Sequence, residues 1–309
     1  MKPTNRFLPN PYLTLTVLAW GFNFVAVKSL YQVMPPAALA LTRWVVMLFA
    51  LVPLCLVMKE PLRFPSPRLA LQVLFLGSLT MGVYMFFFLE GAKQVTPGES
   101  SILISTSPIW VLFFEALFRL EKLRWGSVIG AVISCLGVAL VVGHSSGTTT
   151  MFGILMTLAA AVIWGLCVVI SRVLGAHFSP LQLITLGMPG ALIVIVPYGL
   201  GPALGVNWAS LSPRDWYYFF HIALLAGALG FYGFFTGVQQ LGPGKAMRYQ
   251  FFVPIVATIS ALVVLGIPVT LLQGLGVLVV IAGVWIASAA KFSGSPAQSQ
   301  HQKSEADPS

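Results

Sequence analysis

LAWGFNFVAVK, residues 18–28, is apolar enough to sit in lipid, yet it carries Trp20, Asn23 and Lys28. VIWGLCVVISR, residues 162–172, repeats the Trp-Gly pair and again sets a basic residue eight positions after the tryptophan. The same shift puts Pro36 on Pro180. A shift two residues longer aligns GAKQVTPG (91–98) with GVQQLGPG (237–244) and pairs Pro108 with Pro254, Gly130 with Gly276 and Gly137 with Gly283. A repeat of this length reads as two structural halves.

Composition fixes the solvent of those halves. The 309 residues are 58% hydrophobic and 8% charged, where a soluble domain carries about 25% charged residues. So much apolar surface cannot be hidden in a core of this size. The net charge of +9 would suggest nucleic acid in a soluble protein, but no RNP-like motif, zinc-finger spacing or basic helix accompanies it. The basic residues fall instead in short gaps between apolar runs, as membrane orientation requires. Cys55, Cys135 and Cys167 stand alone in apolar runs and read as small packing residues. The first run is too long for a signal peptide and ends in LYQVMPP without a small-x-small cleavage pattern.

Runs long enough to cross about 30 Å of hydrocarbon fall near residues 12–30, 37–58, 69–89, 98–118, 125–143, 152–172, 180–199, 217–237, 245–265 and 270–290. The expected fold is therefore an all-α integral membrane protein of ten transmembrane helices. Its halves would be residues 1–143 and 152–290, and the polar stretch 291–309 a disordered cytoplasmic tail. With the N-terminus in the cytoplasm, inside segments hold Lys2, Arg6, Lys59, Arg63, Arg68, Arg119, Lys122, Arg124, Arg172, Lys245, Arg248, Lys291 and Lys303. Outside segments hold only Lys93 and Arg214, while Lys28 and Arg43 lie within spans. The bias puts both termini in the cytoplasm. Five spans per half is an odd number, so the second half enters the membrane from the opposite side. Inverted repeats are a transporter architecture, with the substrate site near the midplane between the halves.

Order, spacing and duplication together resemble the drug/metabolite transporter superfamily, in its form with two EamA-type halves. The resemblance is carried by AWGFNFVAVK (19–28), PPAALALTR (35–43), TPGESSILISTSPIWVLFFEALFRLEKL (96–123) and GAVISCLGVALVV (130–142). In the second half it is carried by IWGLCVVISR (163–172), LGPGKAMRYQFFVPIVATISALVVLGIPVT (241–270) and GLGVLVVIAGVWI (274–286). It implies a carrier in the cell (inner) membrane, with outward movement of amino acids or related compounds. Two family positions are not duplicated: Glu121 aligns with Ile267, and Arg43 with Gly187.

Helical spacing selects the candidate cavity residues. Trp20, Phe24 and Lys28 share one face of the first helix with Asn23 beside it, and Trp164, Val168 and Arg172 form the matching face of the sixth. Lys28 and Arg172 fall at span ends, which favours snorkelling to headgroups. Trp20 lies at mid-membrane, where an aromatic belt would not place it. Pro108 and Pro254 interrupt the fourth and ninth helices and free the carbonyls of Ile104 and Gln250. Ser101 and Ser105 lie on the same stripe as Pro108, and Arg248 and Gln250 precede Pro254. Arg248 either reaches headgroups or turns inward to hold a carboxylate or phosphate. Tyr84 and Phe88 share a face of the third helix, and Tyr232 a face of the eighth. Gly126 and Gly130 spell GxxxG, which favours close packing within one half over dimerisation; a monomer is expected.

Proton coupling would need a titratable group on the path, and the acids within or near spans are Glu90, Glu99 and Glu115, all near span ends. A facilitator or exchanger of drug-like amphipaths, nucleosides or sugars therefore stands beside the amino-acid exporter. A membrane enzyme would need a clustered nucleophile and base or a metal site. His144, His177, His221 and His301 are scattered, and Asp215 and Asp307 lie outside the spans. No enzyme activity, cofactor, metal or nucleic-acid partner is expected; the partners are the lipid bilayer and a small-molecule substrate.

Overall fold

The computed structural model describes residues 10–121, 125–143, 149–268 and 270–292. The tail from 293 onward, together with Lys2, Arg6, Lys122, Arg124, His144, His301 and Lys303, lies outside the described residues. Among the described residues every regular element is a helix. In chain order these are α1 (Pro11–Leu30), α2 (Pro36–Val57), α3 (Pro67–Lys93), α4 (Pro97–Leu117) and α5 (Trp125–Gly143). They are followed by α6 (Met151–Leu174), α7 (Pro180–Leu204), α8 (Pro213–Leu241), α9 (Lys245–Leu265) and α10 (Leu271–Phe292). Eight are long and apolar enough to cross a membrane, while α5 and α10 contain the shorter apolar stretches Val128–Leu140 and Gly274–Ile286. Large side chains such as Phe49, Leu71 and Ile193 point outward, which only a lipid solvent tolerates on this scale.

A recurrent signal starts these helices. At Thr96-Pro97, Ser179-Pro180 and Ser212-Pro213 the hydroxyl accepts the amide N–H of Glu99, Gln182 and Asp215, and each of those side chains accepts in return from the capping residue's N–H. Proline fits the first turn because its missing N–H would be unpaired there anyway. Ser66, whose hydroxyl accepts the Leu69 N–H before Pro67, and Ser212 explain why α3 and α8 begin earlier than the expected 69 and 217. Both helices also change pitch midway: Ser78–Val83 and His221–Leu229 run as π-helix, a feature that hydrophobic spacing does not report. In α4 the helix is interrupted after Ile104, at Ser105 and Thr106, before Pro108 occupies the first turn of the next segment. In α9 Gln250–Phe252 form a 3₁₀ turn just before Pro254.

The halves meet through reciprocal contacts. A Cβ on Gly21 of α1 would lie 2.4 Å from Val256 of α9, and one on Gly165 of α6 would lie 2.6 Å from Trp110 of α4. These are the same contact with the two halves exchanged. Gly91 against Thr157 and Gly237 against Leu13 form a second such pair. At α5 and α10, Gly137 abuts Val280 and Gly276, while Gly283 abuts Ser134 and Gly130. Ser134 Oγ donates to the carbonyl of its own repeat equivalent, Val280, at 3.3 Å. Self-complementary contact of this kind is what a two-fold relation generates. It also corrects the reading of the GxxxG pair: the Gly130 carbonyl faces Gly283 of the other half, where the lack of a side chain at Gly283 lets the α5 and α10 backbones approach closely.

The tightest crossing joins α3 to α7, where a Cβ on Gly77 would fall 1.7 Å from the Gly187 carbonyl oxygen. Gly77→Ala is expected to force these helices apart, at a cost of about 1–3 kcal/mol or more. Thermal unfolding in detergent should fall by several degrees, whereas Gly201→Ala, which meets nothing within 4 Å, should leave it unchanged.

Candidate functional site

The two opening tryptophans meet. The rings of Trp20 and Trp164 sit edge to face, 5.5 Å between centroids, and each touches Phe231 and Phe234 of α8. Trp20 is held by its indole N–H, which donates to the Ala226 carbonyl in the π-helical part of α8 at 2.8 Å. On the other side Trp164 packs on Tyr84 at 5.4 Å, Tyr84 stacks on Phe88, and Phe88 meets Phe24. Apart from Phe234, these rings wall a cavity that both halves line. Offset and edge-on packing of this kind adds about 0.5–1.5 kcal/mol per pair beyond burial, so the walls are stiff.

The polar lining is sparse. Asn23 of α1, Arg43 of α2, Ser105 of α4 and Gln250 of α9 reach the cavity. Ser105 is committed to the Ser101 carbonyl at 2.8 Å, and Gln250 Oε1 accepts from Ser107 at 3.2 Å. That bond crosses between the interrupted helices α4 and α9 and ties the two breaks together. Asn23 Oδ1 is buried without a hydrogen-bond partner. Arg43 is 3% exposed, and its guanidinium meets the Met85 sulfur at 3.5 Å.

Residues 10–143 and 151–289 each match the model of the EamA-like transporter family. The chain belongs to that family. Three relatives illustrate the range of similarity. An uncharacterized transporter of Archaeoglobus fulgidus is 24% identical over 89% of this chain and 96% of its own length. A probable terminal-alkyne amino-acid exporter of Streptantibioticus cattleyicolor is 27% identical, covering 82% of this chain and 84% of its own. A probable amino-acid metabolite efflux pump of Salmonella typhimurium is 26% identical, covering 88% and 92%. A protein crystal structure, 18% identical, superimposes with a TM-score of 0.68 over 92% of this chain and 98% of that one, which shows the fold. The protein is thus a multi-pass membrane transporter of EamA type.

In this EamA-like transporter the residues singled out by helical spacing divide into two groups. Trp20, Asn23, Phe24, Tyr84, Phe88 and Ser105, with Trp164 and Gln250 from the second half, line the central cavity. Ser101, Tyr232 and Arg248 do not. Ser101 is wholly buried and donates to the Gly98 carbonyl at 2.6 Å. Tyr232 follows Phe231, whose side chain takes the inward position, and so turns to Tyr12 in a separate lateral cavity between α1 and α8. Arg248 precedes Gln250 by two residues, about 200° around a helix, and its guanidinium lies over Trp285 of α10 at 5.3 Å. Arg43, Met85 and Phe231 line the cavity without having been among the candidates. An arginine seven residues inside a span was the signal for the first; Phe231 differs from Tyr232 only by rotation, which sequence does not fix.

The two cations at span ends are not left to headgroups. Lys28 donates to the carbonyls of Lys93 and Val95 at 2.9 and 2.8 Å, capping the end of α3, where the helix dipole favours a cation. Arg172 pairs with Glu115 at 2.7 Å and Glu121 at 3.6 Å. Glu99 accepts from the Thr96 amide and from Thr149, and Tyr198 donates to Glu90. Glu90, Glu99 and Glu115 are all engaged outside the cavity lining.

Arg172→Gln would leave the Glu115 carboxylate, 1% exposed, short of its cation. Because Arg172 itself is partly open, the expected cost is below the roughly 3–5 kcal/mol of a fully buried pair, about 2 kcal/mol. Adding Glu115→Gln should recover part of the lost thermal stability, a non-additivity that a double-mutant cycle measures.

Proposed function

We propose that this protein is a secondary carrier of small organic metabolites, working by alternating access around the cavity between its halves. The reading takes α1 to α10 as ten spans, arranged as inverted halves at 1–143 and 152–290, in the cell membrane with both termini cytoplasmic. The observation that carries it is the contact between Trp20 and Trp164, equivalent residues of the two halves that touch at one cavity. A site on such a symmetry element can be exposed to either side by rocking one half against the other, since the two tilted states are near-equivalent in energy. The reciprocal glycine crossings are the surfaces along which the halves would slide.

Amino acids and related compounds, moved outward, are the substrates this reading favours, on the names of the Streptantibioticus and Salmonella relatives. The engagement of Glu90, Glu99 and Glu115 away from the cavity favours exchange or facilitated diffusion over a proton-coupled cycle. Drug-like amphipaths, nucleosides and sugars form the second reading, supported by a mostly aromatic cavity wall.

Counterflow in proteoliposomes tests the proposal. The parent should exchange a labelled amino acid saturably. Trp20→Ala and Trp164→Ala should each lower that exchange by at least about tenfold, the loss of one or two aromatic contacts, with monodisperse protein in detergent. Arg248→Ala, whose side chain lies on Trp285, should leave the half-saturating concentration within about twofold. Exchange that survives both tryptophan variants unchanged would remove the cavity assignment.

A further inference from the structure

Arg43 is anomalous. It sits seven residues into α2, about 10 Å along the helix, and is 3% exposed. Among the described residues no carboxylate lies within ion-pair distance of it. Its neighbours are the Met85 sulfur and, near its charge, the phenols of Tyr84 and Tyr31. A guanidinium cannot be neutralised by losing its proton in a protein, and an uncompensated buried cation is among the most costly groups a fold can hold. The second half does without it, having Gly187 at the equivalent position, where α3 crosses. So symmetry does not require Arg43, and packing around it would be served by methionine or leucine.

The second anomaly faces the same cavity. Asn23 is 7% exposed and its Oδ1 has no hydrogen-bond partner. Three other polar groups of the lining are committed: the Trp20 N–H donates to Ala226, the Ser105 hydroxyl to Ser101, and Gln250 Oε1 accepts from Ser107. The cavity therefore presents the Arg43 cation and the unpartnered Asn23 Oδ1 inside an aromatic wall.

We propose that Arg43 and Asn23 are the recognition pair for the zwitterionic head of an α-amino acid with an apolar side chain. Arg43 takes the carboxylate through a forked, charge-assisted contact. Asn23 Oδ1 accepts from the ammonium, which the faces of Trp20 and Trp164 further stabilise by cation–π attraction. The side chain packs on Tyr84 and Phe88. The inference rests on the carrier reading for its location and deepens it by fixing the chemistry of the bound head group. Uncharged sugars, nucleosides and cationic amphipaths are disfavoured, because each would leave Arg43 uncompensated or face it with like charge.

The test uses L-phenylalanine, L-phenylalaninamide and 3-phenylpropionate, which share a ring and differ in the head group. Binding to the full chain in detergent is followed by tryptophan fluorescence, and exchange is followed by counterflow in liposomes. L-Phenylalanine is expected to bind at least about tenfold more tightly than the amide, the worth of a hydrogen-bonded charge contact. Arg43→Gln should abolish that ratio by weakening L-phenylalanine and 3-phenylpropionate while leaving the amide unchanged, and Asn23→Leu should weaken L-phenylalanine relative to 3-phenylpropionate. Arg43→Met should keep or raise the thermal stability of the ligand-free protein, whereas a purely structural arginine would make it fall. Binding selectivity that vanishes in Arg43→Gln while counterflow is absent throughout would uphold the recognition pair and overturn the carrier reading. Saturable counterflow with equal affinity for acid and amide would uphold the carrier and overturn the pair. Equal binding of all three probes without counterflow would overturn both.

Discussion

Several close approaches in this protein occur where a glycine of one half meets a helix of the other in exchange-related pairs, while the tightest, Gly77 against Gly187, has no glycine counterpart. Gly21 on α9 is matched by Gly165 on α4; Gly137 on α10 is matched by Gly283 on α5. Between helices immersed in lipid there is no hydrophobic force to drive association, so close van der Waals contact must supply it. Small residues at reciprocal positions supply it twice with one pattern. Everything else about the cavity follows from this constraint. Once the halves are locked about a two-fold relation, the residues nearest the axis meet their own equivalents. Trp20 meets Trp164, and the Trp44 indole donates to the carbonyl of its equivalent Met188 at 3.1 Å.

Symmetry explains where the cavity is, and its violations explain what the cavity is made of. A cavity lined by two identical halves would carry Arg43 twice, and like charges facing one another in low dielectric would repel strongly. The second half has Gly187 instead, and uses the absence of a side chain to bring α7 against Gly77. Asn23 likewise faces no duplicate, since its equivalent is Cys167, which is buried. The same holds at the periphery: Lys28 caps α3 through two carbonyls, while its equivalent Arg172 binds Glu115 and Glu121. Equivalent cations have thus been given unlike partners, and each side of the protein is fastened by its own chemistry.

How much of this could be read from the sequence depended on which physical signal encoded each residue. The repeat, the apolar runs and the aromatic stripe of Trp20 and Phe24 are periodic, and periodicity survives without coordinates. The faces of α8 and α9 are not encoded in that way. Spacing within Gly230–Leu241 groups Tyr232 with later residues on one face but does not fix which way that face points, and the fold turns Phe231 inward. In α9, Arg248 and Gln250 lie on opposite sides of the chain, and Gln250 is the one that reaches the cavity. Lys28 and Arg172 sit at span ends, where the general rule sends a cation to the headgroups. Only the three-dimensional arrangement brings a helix terminus or a carboxylate within reach, and a local partner in a dry environment outcompetes a mobile lipid.

The irregular segments have a common placement that bears on how the halves could move. The π-helix of α8 exposes the Ala226 carbonyl to the Trp20 indole, so the wall of the cavity is pinned by a backbone group that regular α-helix would use internally. The break in α4 leaves Ser107 free to reach Gln250 across the axis. Both contacts join elements of different halves, and both arise where the helix departs from regular α-helical hydrogen bonding. A rocking motion that parted the halves on one side would release such bonds at little cost to the helices themselves. The reciprocal glycine seams would remain in van der Waals contact throughout. Both irregular segments lie beside the cavity whose lining, among the described residues, includes the cation Arg43.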